Sequence, residues 1–260
     1  MEIRRVWGLP GLGGLPWPVE LVEFDLVSRG LLRPAGLEWD DVPAGHCAQW
    51  PLGGAVGESS YVEGLVLPGE VLSLRPLRRA DEAAWNRLRW CNQQWLEPWD
   101  PTVPPGQRLL RGGFQGWRRQ LNAQARRGVN VCFGIELDGV LVGQMSIGAI
   151  QWGAALSTPL GYWVDQGVAG RGVVTLATAM AVDYLLLHCG LHRVEVNIRP
   201  ENAASRRVAA KLGLRFEGVR ERFLHINNEW ADHESYAVTV EEVGAGLVAR
   251  LEARAAPHGR

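Results

Sequence analysis

One segment restricts the possible folds more than any other part of the sequence. The strand-like run "LGYWV" leads into the loop "DQGVAGRG", the apolar run "VVTLATAMAVDYLLLH" follows with the length of a helix, and "HRVEVNI" returns as a strand. A strand–helix–strand unit of this kind joins two parallel strands by a right-handed crossover. The segment therefore predicts an α/β protein with one crossover in the middle of its sheet.

Hairpins and helices are predicted on both sides of this unit. A strand begins at Val71, a hairpin turns at Asp138-Gly139 with type I′ geometry, and the last two strands meet around Asn227-Asn228. Helices are predicted from Glu82 with Asp81 as the cap, over about 107–126, over 173–188 ending at Gly190, and from Asn202 as the cap to Gly213. The resulting order, β α α β β β α β α β β, indicates a mixed, mostly antiparallel sheet of six to seven strands flanked by about four helices on both faces.

The chain divides into three parts by composition. Residues 1–69 hold 12 glycines, 7 prolines and an excess of acidic residues, which predicts a partly irregular or disordered N-terminal extension. Residues 70–243 carry the regular pattern and form the main domain. Residues 244–260 are predicted to be a C-terminal tail with a frayed helix of no evident role.

Composition excludes several partners. With 47 % hydrophobic and 21 % charged residues the chain is expected to be globular, and a net charge of −1 provides no general attraction to nucleic acid or to an anionic membrane. No run of 18 apolar residues occurs, so no membrane span is expected. The four cysteines are far apart and none has metal-ligand spacing, which predicts reduced thiols, no metal and a cytoplasmic location.

The glycine loop is compared with three phosphate-binding motifs. Gly167 and Gly172 have the spacing of a P-loop, but Val173 stands where that motif requires lysine. A dinucleotide fingerprint would need a third glycine, which is missing. The third motif is Q/R-x-x-G-x-G/A before a helix, with Gly172 as its fixed glycine, Ala169 in the polar position and Val174 last. Amides at such a helix start bind a pyrophosphate.

Five motifs in sequence order extend this comparison. They are "GYWVD", "AGRGVVTLA", "GLHRVEVNIRPENAAS", "KLGLRFEGV" and the ending from Ile226 to Val238. Together they resemble the GCN5-related N-acetyltransferase (GNAT) superfamily, and within it the branch that acetylates alanine or serine N-termini of ribosomal proteins. The resemblance covers about residues 71–243. It implies acetyl-CoA as the cosubstrate and a primary amine as the acceptor.

The resemblance also implies the cofactor-binding residues. The backbone of Tyr162, Trp163 and Val164 would bind the pantetheine arm as an added strand, and Asn197 would line the acetyl end. Asn202 would contact the pantetheine or the surroundings of the amine. The pyrophosphate would lie against the amides of Gly170, Arg171, Gly172, Val173 and Val174. Structural roles stay open: core packing for the aromatic side chains, a helix cap for Asn202 and a solvated charge for Arg171.

Two catalytic candidates follow from the same resemblance. In the family branch a serine three residues after the helix-start asparagine is a proposed acid for the departing thiolate, and Ser205 matches that place after Asn202; a first-turn serine bonding the helix end is the structural alternative. Some relatives carry a glutamate base where this chain has Leu224. Nearby candidates for the base are Glu221, His225 and Asp232, and the pair Asp232-His233 is equally open to a structural role; no base is assigned.

Three functions remain in competition. The first is acetyl transfer from acetyl-CoA to the N-terminal α-amine of a protein, possibly ribosomal, by a monomer or homodimer. The second keeps the donor and replaces the acceptor by a small amine such as an antibiotic or a polyamine. The third is a non-catalytic CoA-binding module, because a fold does not fix a function.

Overall fold

The computed structural model describes residues 2–7, 21–27, 71–106 and 113–255. These residues contain nine strands in one sheet of order β1-β2-β3-β4-β5-β6-β7-β9-β8. The neighbouring strands are antiparallel except β6 and β7, which are parallel. The bounds are β1 Glu2–Trp7, β2 Leu21–Val27, β3 Val71–Pro76, β4 Val131–Leu137, β5 Val140–Ile147, β6 Ser157–Val164, β7 Arg193–Ile198, β8 Arg215–Ile226 and β9 Glu229–Thr239.

The predicted mixed, mostly antiparallel sheet is confirmed, and its seven strands are β3 to β9. The crossover predicted in the middle of the chain is the connection from β6 to β7. Two strands of the N-terminal extension lengthen the sheet at its β3 edge, where Phe24 lies opposite Leu74 and β1 pairs with β2. The rest of residues 1–69 lies outside the described part of the chain.

Helices lie between the strands in the predicted order. Residues 107–112, where the second helix was predicted to begin, lie outside the described residues. None of the helices in the described ranges is both long enough and apolar enough to cross a lipid bilayer. The bounds are α1 Glu82–Cys91, α2 Gln93–Leu96, α3 Gly113–Arg126, α4 Val173–Asp183 with a π-helical turn Tyr184–His188, α5 Ala203–Leu212, α6 Val240–Val243 and α7 Leu247–Ala255.

Local turn chemistry explains where these elements end. Asp138 and Gly139 have φ of 49° and 80°, and Asn227 and Asn228 have φ of 45° and 66°. Positive φ at both central residues defines the type I′ turn, which matches the twist of a hairpin. Gly213 ends α5 in the left-handed conformation, with φ of 70°, as predicted for a helix C-terminus.

The core lies on both faces of the sheet. One face carries α4, and Leu176 and Met180 are buried there against Phe133 and Ile135 of β4. The other face carries α1 and α3, whose apolar side chains meet those of β4 and β5; the buried members are Leu77, Leu88, Phe114, Cys132 and Leu141. Helices on both faces of the sheet were predicted from the sequence. The helices do not cover the place where β6 and β7 separate.

Asp81 does not cap α1 through its side chain, contrary to the sequence prediction. Its carboxylate accepts hydrogen bonds from Nη1 and Nη2 of Arg75 at 2.7 and 2.9 Å, and Arg75 also pairs with Glu136. The Arg75 side chain is only 3 % exposed. A buried guanidinium needs paired carboxylates to offset its lost hydration, and this requirement takes Asp81 away from the helix end.

The C-terminal segment is part of the core, which differs from the frayed tail expected. Leu247 and Val248 of α7 are buried. Their amides donate to the carboxylate of Asp183 at 2.6 and 2.9 Å, so a side chain of α4 caps α7. Burial raises the pKa of Asp183, and the two amides act in the opposite direction.

The cysteines differ in state. Cys132 and Cys189 are buried and are not disulfide-bonded, as the sequence led us to expect. Burial raises the pKa of the Cys132 thiol to about 12, so this thiol is not a nucleophile near neutral pH. Cys91 is disulfide-bonded, so the expectation of reduced thiols is wrong for that residue.

Candidate functional site

A cleft opens where the two parallel strands separate. Strands β6 and β7 pair only from Ser157 to Pro159, opposite Arg193 to Glu195. Beyond Pro159, β6 stays with β5 as far as Val164, whereas β7 stays with β9. The cleft between them has a volume of about 1360 Å³ and extends to α1, α3 and α5.

The ladder between β5 and β6 determines which backbone groups face this cleft. The amide of Asp165 donates to Val142, and the amide of Gly148 donates to Pro159. Because bonded and non-bonded residues alternate along an antiparallel pair, the odd-numbered residues of β6 bond to β5. The N–H and C=O groups of Tyr162 and Val164 therefore point to the cleft, and those of Trp163 point to β5.

The glycine loop and α4 form one end of the cleft. Gly170 and Gly172 have φ of 80° and 98°, conformations that favour glycine, and Gly172 immediately precedes α4. The amides of Gly170, Gly172, Val173 and Val174 donate to no backbone acceptor among the described residues. A helix start with free amides carries partial positive charge and attracts anions.

Two glycines leave open space beside this end of the cleft. A Cβ added to Gly170 or to Gly161 of β6 would meet no atom within 4 Å. Gly143 of β5 is the opposite case, because its Cβ would lie 2.4 Å from the carbonyl oxygen of Trp163. The cleft side of β6 therefore has room for an extended ligand, whereas the β5 side is tightly packed.

The structure brings ten of the eleven predicted site residues to the cleft. Arg171 is the exception, since it lies outside the set that lines it. The residues that line it come from β6, the loop, the start of α4, β7 and the start of α5: Tyr162, Trp163, Val164, Gly170, Gly172, Val173, Val174, Asn197, Asn202 and Ser205.

Asn202 and Ser205 have separate roles at the start of α5. Oδ1 of Asn202 accepts a hydrogen bond from the backbone amide of Ser205 at 3.0 Å, so Asn202 is the helix cap. This bond uses the amide of Ser205, and its hydroxyl is left to the cleft. Oγ of Ser235 donates to Oδ1 of Asn197 at 2.9 Å, which leaves the Asn197 N–H groups as donors for a ligand.

The hydroxyl of Tyr162 is buried beside Ser205. No described residue has the geometry of a hydrogen-bond partner for this hydroxyl group. Burial raises the pKa of Tyr162 to about 12, and the neighbouring Ser205 side chain opposes part of that rise. Tyr162 is therefore protonated at neutral pH, and two hydroxyl groups lie together in the cleft.

Aromatic rings form the other end of the cleft, and we call this group the aromatic chamber: Trp85, Phe114, Trp117 and Trp163. Ring centroids of Trp85 lie 5.6, 5.2 and 6.3 Å from those of Phe114, Trp117 and Trp163. Nε1 of Trp85 donates to Gln144 at 2.8 Å, which fixes the central ring. Trp85, Phe114 and Trp117 were not among the predicted site residues, since α1, α3 and β6 bring them to Trp163 only in the fold.

The charges of the cleft are mostly basic. The described lining includes four basic side chains, which are Arg89, Arg199, Arg207 and Lys211. It includes two acidic ones, and both are paired: Asp100 with Arg89, and Glu201 with Arg199. No group of three or more His, Cys, Asp or Glu in the described ranges is arranged to hold a metal ion. The described lining therefore favours anionic over polycationic ligands.

The candidate bases named from sequence lie apart from the cleft. Glu221 is exposed outside it. Nδ1 of His225 bonds to Oγ1 of Thr102 at 2.7 Å, and Oδ1 of Asp232 accepts from the amide of Arg222 at 2.7 Å. Leu224 and His233 do line the cleft.

Comparison with known proteins identifies the family. The family model described as "Acetyltransferase (GNAT) domain" matches residues 72–215. The chain therefore belongs to the GNAT acetyltransferase family. This confirms the predicted family and the predicted enzyme class.

Individual GNAT relatives agree with this assignment. The chain is 36 % identical over 179 residues to the probable N-acetyltransferase YjcK of Bacillus subtilis, covering 66 % of this chain and 96 % of that protein. It is 26 % identical to the ribosomal protein uS5-alanine N-acetyltransferase of Escherichia coli, covering 62 % and 85 %. The structure of Mycobacterium smegmatis RimJ in complex with CoA-disulfide superimposes with a TM-score of 0.65 at 41 % identity, covering 71 % and 89 %.

Proposed function

We propose that this acetyltransferase moves the acetyl group of acetyl-CoA to the N-terminal α-amine of a protein, in the cytoplasm. The observation that carries the proposal is the cleft itself. One end of the cleft is a helix start whose amides have no backbone acceptor among the described residues. Exposed backbone groups of β6 run along the cleft. The other end is the aromatic chamber, which has no unpaired carboxylate among its described residues. Relatives named as ribosomal-protein alanine or serine acetyltransferases support the same acceptor class.

The donor end fits a molecule that is extended and anionic. Amides from Gly170 to Val174 would hold its pyrophosphate, and the N–H and C=O groups of Tyr162 and Val164 would bond the pantetheine amides as a strand does. Arg207 and Lys211 follow each other at helical spacing on α5 and would add positive charge. The open space at Gly161 gives the pantetheine room against β6.

The acceptor end favours a peptide over a polyamine. A polyamine is best held by unpaired carboxylates, whereas Asp100 and Glu201 already form ion pairs. A peptide N-terminus carries one charge and apolar or polar side chains, which aromatic rings accommodate. The guanidinium of Arg89 stacks 5.3 Å from the Trp163 ring and pairs with Asp100, so the carboxylate at this end is already neutralised and attracts no further cation.

The chemistry needs a polarised carbonyl, a proton for the leaving thiolate and a neutral amine. A cleft-facing backbone N–H near Val164, distinct from those that bond the pantetheine, would polarise the thioester carbonyl. Ser205 would give its hydroxyl proton to the thiolate, and the protonated Tyr162 beside it would replace that proton. An N-terminal ammonium has a pKa of about 7.7–8.0, against about 10.4 for lysine, so less work is needed to deprotonate it.

Release of free thiol from acetyl-CoA tests the proposal. The acceptors would be a peptide with a free N-terminus, the same peptide with a blocked N-terminus, and spermidine. The expected result is thiol release with the free peptide only. Release with spermidine alone would favour the small-amine function, and CoA binding without any release would favour a non-catalytic module.

A further inference from the structure

His233 is a buried histidine that faces the cleft. It lies on β9, is 3 % exposed and lines the cleft. Ser235, two residues further along the same strand face, holds Asn197 on the neighbouring strand β7. His233 thus lies on the same side of the sheet as the residue that lines the acetyl end.

Within the described part of the chain, one ring nitrogen of His233 has a hydrogen-bond partner and the other has none. Nδ1 lies 3.0 Å from the carbonyl oxygen of Ala231 and therefore carries the proton that it donates there. Nε2 is then the nitrogen with the lone pair. The ring of Phe223 contacts the imidazole edge to face at 5.8 Å and restricts its rotation. A fixed imidazole with a free lone pair has the form of a proton acceptor.

The surroundings keep this imidazole neutral. Burial lowers the pKa of His233, and Arg199 at the end of β7 lowers it further. Asp232 on the same strand and Glu201 before α5 act in the opposite direction. Arg220 of β8 lies opposite His233 in the ladder, but it pairs with Glu195 and stacks on Phe223.

Leu224, on the neighbouring strand β8, also lines the cleft. Leu224 pairs with Ala231, which shares a strand face with His233, and both Leu224 and His233 line the cleft. Position 224 is where some relatives carry a glutamate base. The chain thus has no carboxylate at position 224, whereas an imidazole from the adjacent strand lines the same cleft.

We propose that His233 is the general base of the reaction, an inference that rests on the proposed function. Nε2 takes a proton from the acceptor ammonium, and the neutral nitrogen then attacks the thioester carbonyl. The carbon–sulfur bond breaks, and the thiolate takes its proton from Ser205. The attacking nitrogen loses its second proton as the amide forms, and this proton restores the hydroxyl pair of Ser205 and Tyr162. The imidazolium loses its proton to solvent before the next turnover.

The pH profile of kcat/KM for a peptide acceptor tests this role, with His233→Asn as the variant. Asparagine keeps an N–H donor for Ala231 but has no basic nitrogen. In the unmodified protein kcat/KM should fall on the acid side at a pH below the usual histidine value of about 6.5, because the pKa of His233 is lowered. In the variant only amine that is already neutral reacts, so the midpoint should move up to about 7.7–8.0, and kcat at pH 7 should fall by the inverse of the neutral fraction, roughly 6–11-fold.

Two further variants separate catalysis from folding. His225→Asn changes another buried histidine, whose ring bonds to Thr102 outside the cleft, and should leave the midpoint unchanged. Adding Leu224→Glu to the His233→Asn variant places a carboxylate in the cleft, and it should lower the midpoint again and restore most of the lost kcat at pH 7, because a positioned carboxylate can take the same proton. The KM for acetyl-CoA should stay the same in both.

The outcomes distinguish the two proposals. If the unmodified protein releases no thiol with any peptide, the proposed function fails. If the unmodified protein releases thiol with a peptide, but the His233→Asn variant keeps the same kcat and the same acid-side midpoint, His233 is not the base. A loss of kcat without a shifted midpoint and without rescue by Leu224→Glu would also overturn the inference, because a structural role produces that result.

Discussion

Placing a carboxylate at the start of α4 should weaken CoA binding far more than a neutral side chain of the same shape. Gly172 is the residue before α4 and has φ of 98°. A side chain at this position accepts hydrogen bonds from the second or third amide of the helix, and these amides include Val174, assigned above to the pyrophosphate. Both Gly172→Asn and Gly172→Asp would therefore compete with the ligand, and only the second adds charge.

The difference between the two variants can be calculated. Two unit charges 4 Å apart repel by about 1 kcal/mol in water and by about 4 kcal/mol at an effective dielectric constant of 20. With about 1.4 kcal/mol for each factor of ten, the Kd of CoA should be roughly 5-fold to 10³-fold higher for Gly172→Asp than for Gly172→Asn. Stability should change the other way by about 0.3–1 kcal/mol, because a carboxylate is favourable at a helix N-terminus.

Titration calorimetry with CoA and thermal unfolding would measure both effects. The matched control is Gly190, which also has positive φ, of 72°, and whose Cβ would meet no atom within 4 Å. Gly190→Asp and Gly190→Asn should bind CoA with equal affinity, since Gly190 does not line the cleft. Equal affinities of the two Gly172 variants would refute the placement of the pyrophosphate.

Three other predictions concern catalysis, ligand space and folding. Ser205→Ala should lower kcat about 10²-fold or more with little change in the KM for acetyl-CoA, and steady-state kinetics would show a structural role instead if kcat were kept. Gly161→Ala should weaken CoA binding with an unchanged Tm, whereas Gly143→Ala should lower Tm because its Cβ meets Trp163; calorimetry and thermal unfolding would contradict this if the two variants behaved alike. Asp183→Ala removes the acceptor of two α7 amides and should lower the free energy of unfolding by about 2 kcal/mol, or Tm by about 4–8 °C. Asp183→Asn should cause a smaller loss. An unchanged Tm would show that α7 needs no cap.

Features set by neighbouring residues were predictable from the sequence. The hairpin at Asp138-Gly139 and the helix end at Gly213 depend on the φ values that these residues adopt easily, so the turns and the order of the elements along the chain were predicted. The strand–loop–helix unit located the cleft, because an apolar strand, a glycine loop and a helix start are adjacent in the chain. The same locality gave the cap at Asn202.

Features set by distant residues were not predictable in this way. Asp81 has the position of a helix cap, but its carboxylate pairs with the buried guanidinium of Arg75 instead. The aromatic chamber needs α1, α3 and β6 to meet, and no local pattern shows that they do. His233 looked like part of a strand because its direction depends on the register of β9 with β7 and β8. Its neighbour Asp232 points the other way, although sequence treated the two as a pair.

The central claim is that this cleft delivers acetyl groups to an N-terminal α-amine. The most direct test is mass spectrometric mapping of acetylation on one peptide that carries both a free N-terminus and an internal lysine, after incubation with the protein and acetyl-CoA. The account predicts acetyl on the α-amine and none on the lysine side chain. Acetylation of the lysine alone, or of a polyamine while the peptide stays unmodified, would contradict it.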